Sequence, residues 1–473
     1  MLRRALVPIF LVVIAAAASV AAVRADAEVT ALAPIGAPRP ITPVLSARRV
    51  PSVVSRPLGD RRLIEALTAF AARLPNDACL VVDEGGRRLL AHDAAVPLIG
   101  ASTQKLLTAT VALEHFGPDH RLATVAKASG VSNGVVDGDL FLVGGGDPLL
   151  QTADYTAAFD RQPLIWNDLA ALADAIVEAG VRAVGGRVVG DESRYDRVRY
   201  VPSWRSAYVA DNDAGPLSAL SVNDGFAAWA APLPREQEDN TPAPDPALYA
   251  AEVLTRLLEE RGVAIGGAPG TGTAPSETTA IATLPSLTIG EIVAQMLTQS
   301  DNTTAEMLLK EIGVSVLGEG STAAGARAAA EVIAELRLPG DGAVIVDGSG
   351  LERADKVTCQ LLVAMLERVG HASDLADGLA IAGVSGTLGQ RFRDTPVAGK
   401  LRAKTGSLFD VAALAGFVDG HSGNILTFAL VTNSLARLQT GFDLQDELAH
   451  LLVRYPDVPG VDALGPLPVP ASG

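Results

Sequence analysis

The chain has 473 residues, of which 48% are hydrophobic, so it can bury substantial cores and is long enough for two or three domains. Its formal net charge is −16. That balance excludes the basic face of a nucleic-acid-binding protein, and it indicates solubility without selecting a partner.

The N-terminus has the pattern of an export signal. Arg3 and Arg4 precede an apolar run over residues 5–23, and small residues follow that could form a cleavage site. We expect residues 1–27 to be a signal peptide or, because the run is slightly long, an uncleaved membrane anchor; a buried N-terminal helix is the alternative. Residues 28–58 are Pro-rich and predict a linker. The protein is therefore expected to be exported and to act in the cell envelope or as a secreted protein.

The folded body is expected to begin with a helix, a hairpin and a second helix, within residues 59–126. The apolar spacing over 60–74 predicts the first helix, and apolar runs around a Gly-Gly turn predict a hairpin over 79–93. Residues 97–117 predict a loop that enters a long helix, with Ser102 near its first turn.

The next segment, residues 127–285, predicts a β-rich insertion. It contains strand-like pieces at 138–146 and 185–193, one amphipathic helix near 164–180, and a Pro/Asp-rich loop over 233–250.

Helical and then strand patterns return over residues 286–457, before a Pro-rich tail at 458–473. Helices are predicted over 287–299, 303–313, 321–338 and 442–455, and strands over 401–408, 411–420 and 425–433. We therefore predict an α/β (α+β) fold, an antiparallel sheet flanked by helices and interrupted by the insertion.

Neither the two cysteines nor the six histidines form a metal-ligand pattern, so we expect no metal site. Cys79 and Cys359 could form a disulfide in an oxidising compartment, or they could be two separate buried thiols.

Three short motifs could carry chemistry. Ser102 and Lys105 lie one helical turn apart, and a lysine whose pKa is lowered by burial can deprotonate a serine hydroxyl. The alternative is a serine helix cap beside a solvated lysine. Ser300 and Asn302 lie between two predicted helices, where two polar side chains could point into a cleft or could simply belong to a loop.

The third motif is Lys404-Thr405-Gly406-Ser407 on a predicted strand. The glycine would let a substrate backbone approach closely, whereas a solvated edge strand would explain the lysine equally well. Ser-x-x-Lys, Ser-x-Asn and Lys-Thr-Gly in this order form the set shared by penicillin-binding proteins and serine β-lactamases.

Over nearly all of residues 60–455 the chain resembles the type-4 penicillin-binding proteins, which are D-alanyl-D-alanine carboxypeptidases and endopeptidases. Beyond the three motifs, the resemblance includes GGGDPLL at 144–150, GDESRYD at 190–196, LSVNDG at 220–225, DGSGLER at 347–353 and AGVSGTLGQRF at 382–392. The 198 residues from Ser102 to Ser300 exceed what a compact β-lactamase-like domain needs, and in this family the extra length is an insertion.

The resemblance implies that Ser102 is acylated by peptidoglycan stem peptides, and by β-lactam antibiotics as covalent inhibitors, with Lys105 as the base. It implies that Ser300 relays a proton to the departing amine and that Asn302 binds the substrate backbone and lowers the Lys105 pKa. It also implies that Lys404 supplies positive potential and that no metal or organic cofactor is required.

On the same strand, the resemblance implies that Thr405 binds the substrate carboxylate and that the Ser407 N–H completes an oxyanion hole with the N–H of Ser102. Related enzymes carry an acidic residue in the insertion that receives an amine of the peptide. That position falls on Tyr208 here, so Asp211 or Asp213 is expected to take over.

Two other functions remain open from the sequence. One is a serine β-lactamase, which would differ in fast deacylation. The other is a catalytically weak cell-wall-binding homologue, which would be expected to have lost part of the motif set. All seven polar positions of that set are present, which favours the carboxypeptidase/endopeptidase.

Overall fold

The structure is a computed structural model that describes residues 12–24, 46, 49–158, 164–229 and 240–459. The predicted tail from 460 onward, most of the predicted linker and the first part of the predicted signal lie outside the described residues. In the part that is described, no helix combines the length and apolarity needed to cross a bilayer. Residues 60–457 form one structural unit.

The helices, in chain order, are α1 (residues 12–24), α2 (Pro51–Ala71), α3 (Lys105–Phe116), α4 (Ala153–Ala157), α5 (Leu169–Glu178), α6 (Ser206–Ala210), α7 (Pro246–Glu260), α8 (Ile289–Gln299), α9 (Asn302–Leu317), α10 (Thr322–Glu335), α11 (Cys359–Val369), α12 (Asp374–Asp377) and α13 (Leu438–Val453).

The strands, in the same order, are β1 (Ala78–Glu84), β2 (Arg87–His92), β3 (Arg121–Ala128), β4 (Val131–Ser132), β5 (Val135–Val136), β6 (Leu140–Val143), β7 (Leu150–Gln151), β8 (Asn167–Asp168), β9 (Ala183–Val184), β10 (Val188–Asp191), β11 (Phe226–Ala228), β12 (Thr241–Pro242), β13 (Ala264–Ile265), β14 (Gly270–Thr271), β15 (Thr279–Thr288), β16 (Ala380–Ile381), β17 (Leu401–Leu408), β18 (Val411–Asp419) and β19 (Ile425–Thr432).

The main sheet is antiparallel and has the order β16-β17-β18-β19-β1-β2. Both of its faces are covered, so β18 is apolar along nearly its whole length instead of alternating. Alternate residues of β18 enter different cores. Ala413, Ala415 and Phe417 join the core formed with α3, α8, α9 and α11, while Leu414 and Val418 join the core formed with α2 and α13.

The second sheet has the order β14-β10-β6-β3-β15 and mixes parallel and antiparallel pairs. Its own core is completed by α5 and α7. The sheet starts at Arg121 and ends at Thr288, a few residues outside the boundaries predicted for the insertion. The division into domains stays a prediction, for which the limits of this sheet are the natural boundaries.

Two predictions about local structure were wrong. Helix α2 begins at Pro51, inside the predicted linker, and ends at Ala71 instead of continuing to residue 74. Leu63, Leu67 and Phe70 are buried on one side of it, as their spacing predicts, whereas Ile64 is exposed.

The predicted loop over 233–250 also contains the start of a helix. Asp245 accepts a hydrogen bond from the Leu248 N–H (3.2 Å) and caps α7, with Pro246 at its first position. Proline is favoured there because its missing N–H has no partner in the helix. Residues 230–239 of this predicted loop lie outside the described residues.

Cys79 of β1 and Cys359 at the start of α11 form a disulfide across 280 residues of sequence. Both are fully buried, and the bond ties α11 to the main sheet. Of the two alternatives that the sequence left open, the structure has the disulfide.

Candidate active site

The first motif lies at the junction of a 3-10 helix, Ala101–Gln104, and helix α3. Lys105 is fully buried, and its Nζ lies 3.0 Å from Ser102 Oγ. The same Nζ donates to Asn302 Oδ1 (2.6 Å) and to the Ser349 carbonyl (2.7 Å). The ammonium is therefore held among three oxygen acceptors, one of them the serine hydroxyl.

The second motif joins α8 to α9. Ser300 ends α8 in the left-handed conformation (φ 61°), and Asp301 caps α9 by accepting from the Thr304 N–H (3.0 Å). This tight turn brings Ser300 and Asn302 to the same cleft. Asn302 uses both ends of its amide, since its Nδ2 donates to the Asp213 carbonyl (2.7 Å) while its oxygen accepts from the lysine of α3.

The third motif lies on β17. Lys404 is fully buried and donates to Ser300 Oγ (2.8 Å) and to the Thr405 carbonyl (2.9 Å). Thr405 is half-buried, and Ser407 is exposed. The structure therefore brings the side chains of all three motifs together, with each lysine against a serine hydroxyl.

The structure gives a reason for glycine at position 406 that differs from the one expected from the sequence. A Cβ at this position would lie 2.5 Å from the Gly100 carbonyl oxygen and 3.1 Å from the Thr103 nitrogen. The close neighbour in this structure is thus the chain's own backbone beside Ser102. The absence of a side chain lets β17 lie directly against the segment that carries Ser102.

Substitution of Gly406 by alanine should therefore displace β17 from the segment that carries Ser102. We expect the second-order rate constant for acylation by a penicillin to fall about 10- to 100-fold, because misplacement by an ångström costs about that much. Gly130→Ala is the matched control, since a Cβ there meets nothing within 4 Å. Unchanged acylation in Gly406→Ala would show that the close contact is not needed.

Burial and charge set the protonation of the two lysines. Burial lowers the pKa of Lys105 to about 8, although four carboxylates oppose the shift. These carboxylates belong to Asp347, Glu306, Asp301 and Asp213. Burial and the repulsion from Lys105 hold the pKa of Lys404 well below its usual range. Near neutral pH the pair therefore favours a single positive charge, which leaves one amine free to accept a proton.

Sequence reasoning missed Glu306, which lies fully buried on α9. Its Oε1 accepts from the N–H groups of Gly348 (2.9 Å) and Ser349 (2.8 Å). The Ser349 carbonyl in turn accepts from Lys105, so Glu306 positions the loop that positions the lysine. The sequence did contain a signal for Glu306. It is an acidic residue among apolar ones, and it follows Asn302 by four residues, which places both on one face of the helix.

Asp347, in the segment DGSGLER, organises the same loop and connects it to the inserted region. It is fully buried and accepts from the N–H groups of Gly350 (2.6 Å) and Glu352 (2.8 Å). It also accepts from Trp204 Nε1 (2.8 Å). Trp204 belongs to the segment before Tyr208, so the inserted region is hydrogen-bonded directly to the loop behind Lys105.

Asp355 lies next to Asp347 and is almost fully buried. Burial, and next the charge of Asp347, raise the pKa of Asp355 to about 10. Its Oδ1 accepts from the Val346 N–H (2.6 Å), whereas its buried Oδ2 accepts from no donor in the described residues. A proton on Oδ2 turns this atom into a donor, which suits the neighbouring carboxylate.

Because the folded pKa of Asp355 lies above its unfolded value near 4, the unfolded state binds fewer protons between about pH 4 and pH 10, and stability is lost as pH rises. Asp355→Asn should remove this loss because an amide remains uncharged and can still donate. We expect the fall in unfolding free energy from about pH 5 to pH 8.5 to be smaller by about 1–3 kcal/mol in the variant, measured by urea unfolding.

The exposed Asp119→Asn controls for the loss of one negative charge in that experiment. An identical fall in unfolding free energy in the parent and in Asp355→Asn would show that Asp355 is not protonated in the folded protein at about pH 5 to pH 8.5.

The insertion residues named from the sequence lie beside the site but differ in burial. Asp211 is exposed, and Asp213 is half-buried with its carbonyl bound to Asn302. Burial and the Asp211 charge raise the pKa of Asp213 to about 6, against the opposing charge of Lys105. Tyr208 is partly buried and packs against a small apolar cluster that includes Trp204.

Comparison with known proteins matches residues 75–243 and 235–455 to the D-Ala-D-Ala carboxypeptidase 3 (S13) family. The chain is 33% identical over 422 residues to carboxypeptidase DacB of Mycolicibacterium smegmatis, covering 85% of this chain and 86% of that protein. It is 30% identical over 506 residues to a D-alanyl-D-alanine carboxypeptidase of Actinomadura sp. strain R39, covering 86% and 91%.

Among solved structures, penicillin-binding protein 4 (dacB) from Haemophilus influenzae is similar in fold, with a TM-score of 0.69 and 19% identity. The similarity covers 82% of this chain and 99% of that chain.

Proposed function

This chain belongs to the D-Ala-D-Ala carboxypeptidase 3 (S13) family, and we propose from this membership that it is a serine-type D-Ala-D-Ala carboxypeptidase and endopeptidase of peptidoglycan stem peptides. The observation that carries the proposal is the buried Lys105, whose amine contacts both Ser102 Oγ and Asn302 Oδ1. A buried amine next to a serine hydroxyl is a base beside a nucleophile.

In the proposed acylation, Ser102 Oγ attacks the carbonyl between the two terminal D-alanines and its proton passes to Lys105 Nζ. A Lys105 pKa of about 8 leaves about a tenth of the molecules with a neutral Lys105 amine at pH 7, and in this reactive form the single positive charge of the pair is on Lys404. The N–H groups of Ser102 and Ser407 would stabilise the oxyanion that forms. The carbon–nitrogen bond then breaks, and the acyl group remains on the serine.

The departing amine needs a proton, and Ser300 is proposed to deliver it. Its hydroxyl is 2.8 Å from Lys404 Nζ, so a proton leaving the serine can be replaced from that lysine. Thr405 is proposed to bind the carboxylate of the leaving D-alanine, with Lys404 supplying positive potential below it. The proton that Lys105 took from Ser102 is then proposed to replace the one given up through Ser300 and Lys404, which leaves the Lys105 amine neutral again. Water attacks the acyl-enzyme and gives a proton to Lys105, the bond between the acyl carbon and Ser102 Oγ breaks, and Ser102 Oγ takes that proton back from Lys105.

On the acyl side of the bond, we assign recognition of an amine in the peptide side chain to Asp213, with Asp211 beside it. Support comes from the position of Asp213, whose carbonyl is bound to Asn302, itself bound to the base. Tyr208 stands where related enzymes carry the acidic residue. In this chain the proposed acidic residue is therefore Asp213, five positions after Tyr208 in the sequence.

An exported location, in the cell envelope or outside the cell, is part of the same proposal. Arg3 and Arg4 before an apolar run support it, as does the buried disulfide between Cys79 and Cys359, because disulfides persist in oxidising compartments. If the same N-terminal run is an uncleaved membrane anchor instead of a signal peptide, the folded body would still lie outside the cytoplasm.

The proposed function is tested by incubating the protein with a fluorescent penicillin and identifying the labelled peptide by mass spectrometry. We expect one label, on Ser102, that is lost slowly, together with release of D-alanine from a stem pentapeptide. Rapid loss of the label with turnover of the penicillin would instead identify a β-lactamase. Absence of any label and of D-alanine release would contradict the proposal.

A further inference from the structure

A polar cavity of about 280 Å³ lies beside the site, and the mechanism above does not use it. Gln299, Ser385, Gln390 and Arg393 contribute polar walls. Gln299 directly precedes Ser300 at the end of α8, so the sequence neighbour of the residue that is proposed to protonate the departing amine forms part of the cavity wall.

Another part of the cavity wall is connected to the proposed carboxylate site by a hydrogen bond. Thr405 Oγ1 donates to Thr387 Oγ1 (2.8 Å). Thr387 is the central residue of the turn Gly386–Leu388, and both Gly386 and Gly389 line the cavity. Residues next to both proposed contacts of the leaving group therefore form the wall of one space.

This arrangement limits where the leaving residue can point. With its amine at Ser300 and its carboxylate at Thr405, its Cα would lie between the two, and its side chain would extend towards the cavity that their neighbours line. A D-alanine methyl group would fill little of 280 Å³. A leaving residue whose side chain continues into a second stem peptide would fill much more of it.

Arg393 is positioned to bind a negatively charged group of such a second stem peptide. Its side chain is exposed, and its Nε donates to the Gly389 carbonyl (2.9 Å), which fixes one edge of the guanidinium at the cavity wall. Within the described ranges, no carboxylate of the chain forms an ion pair with it, in contrast to Arg391, which is paired with Asp446. A guanidinium held in this way has donors left for a carboxylate.

We infer that this cavity binds the peptide on the leaving side of the scissile bond and that Arg393 pairs with a carboxylate of that peptide. In the proposed endopeptidase reaction, the cavity would hold the acidic peptide that leaves, and Arg393 would favour a leaving peptide with a free carboxylate over one without it. The inference rests on the proposed function, which it deepens by naming the leaving group.

The test compares a stem pentapeptide with a cross-linked peptide dimer, for the parent, Arg393→Ala and the exposed control Arg61→Ala. We expect Arg393→Ala to lower kcat/KM for the dimer about 10- to 30-fold, mainly through KM, because a charge-assisted bond is lost. Its kcat/KM for the pentapeptide should stay within about twofold of the parent. Arg61→Ala should change neither.

A second dimer isolates the carboxylate. In it, the carboxylates of the leaving strand are amidated, except the one next to the departing amine. The parent should lose about the same 10- to 30-fold on this dimer, and Arg393→Ala should lose no more, because the two changes remove one interaction.

Equal effects of Arg393→Ala on both substrates would overturn the inference, as would a parent that releases D-alanine but does not cleave the dimer. Independent losses from amidation and from Arg393→Ala would overturn the assigned pairing. A parent that is not labelled by penicillin would contradict the proposed function instead, so the two failures can be told apart.

Discussion

Replacement of Ser102 by alanine should abolish covalent labelling by penicillin and should lower kcat for D-alanine release about 10⁴-fold or more. The reason is that no acyl-enzyme can form without the hydroxyl. The hydrogen bonds of Lys105 to Asn302 and to the Ser349 carbonyl do not depend on that hydroxyl, so the site should otherwise persist. The measurements are gel fluorescence after labelling and a D-alanine assay with the pentapeptide.

Ser276→Ala, which changes an exposed serine far along the inserted region, is the matched control and should behave as the parent. Thermal unfolding of Ser102→Ala should stay close to that of the parent, which separates a chemical effect from misfolding. A Ser102→Ala protein that is still labelled, or that still releases D-alanine at more than about a hundredth of the parent rate, would show that another residue is the nucleophile.

Replacement of Lys105 by methionine should lower the rate of acylation about 10³- to 10⁴-fold, because the base is removed while the buried stem is retained. In the parent, the acylation rate should rise about tenfold per pH unit until about pH 8 and then level off. The sign follows from burial, which lowers the Lys105 pKa and so makes the reactive neutral amine the dominant form above that pH.

The rise with pH should disappear in Lys105→Met, which has no titrating amine at this position. Lys400→Met, four positions before Lys404 and outside the site, should keep the parent's rate and profile. The measurement is the stopped-flow rate of acylation from about pH 6 to pH 9.5. A parent rate that does not change over this range, or a rising profile that persists in Lys105→Met, would exclude this lysine as the base.

The local elements with a clear pattern could be predicted from the sequence. The hairpin β1–β2 and the three strands β17, β18 and β19 lie where their apolar runs and turn residues predict. The predictions failed where polar or Pro-containing segments are helical. Helix α2 accommodates Pro57, and α7 begins directly after Asp245 at the end of a charged stretch, because tertiary packing of their apolar faces outweighs the weak local signals.

The residues with reactive side chains could also be named from the sequence, since a Ser-x-x-Lys, a Ser-x-Asn and a Lys-Thr-Gly are visible as letters. The residues that hold these side chains in place could not be named from it. Glu306 acts through two backbone N–H groups of a loop more than 40 residues away, and nothing in the local sequence reports that contact. Likewise, Asp355 is an ordinary acidic residue in the sequence and a buried neighbour of Asp347 in the fold.

The sequence by itself determined which side chains are available for the chemistry, their order along the chain and the elements that carry them, because these follow from residue type and local spacing. Only the tertiary structure decided that Lys105 reaches Ser102 and Asn302 at once, that Lys404 lies against Ser300, and that both lysines are buried. The physical reason is that desolvation and long-range hydrogen bonds, which lower the pKa of a lysine enough to make it a base, depend on the packing of segments that are hundreds of residues apart.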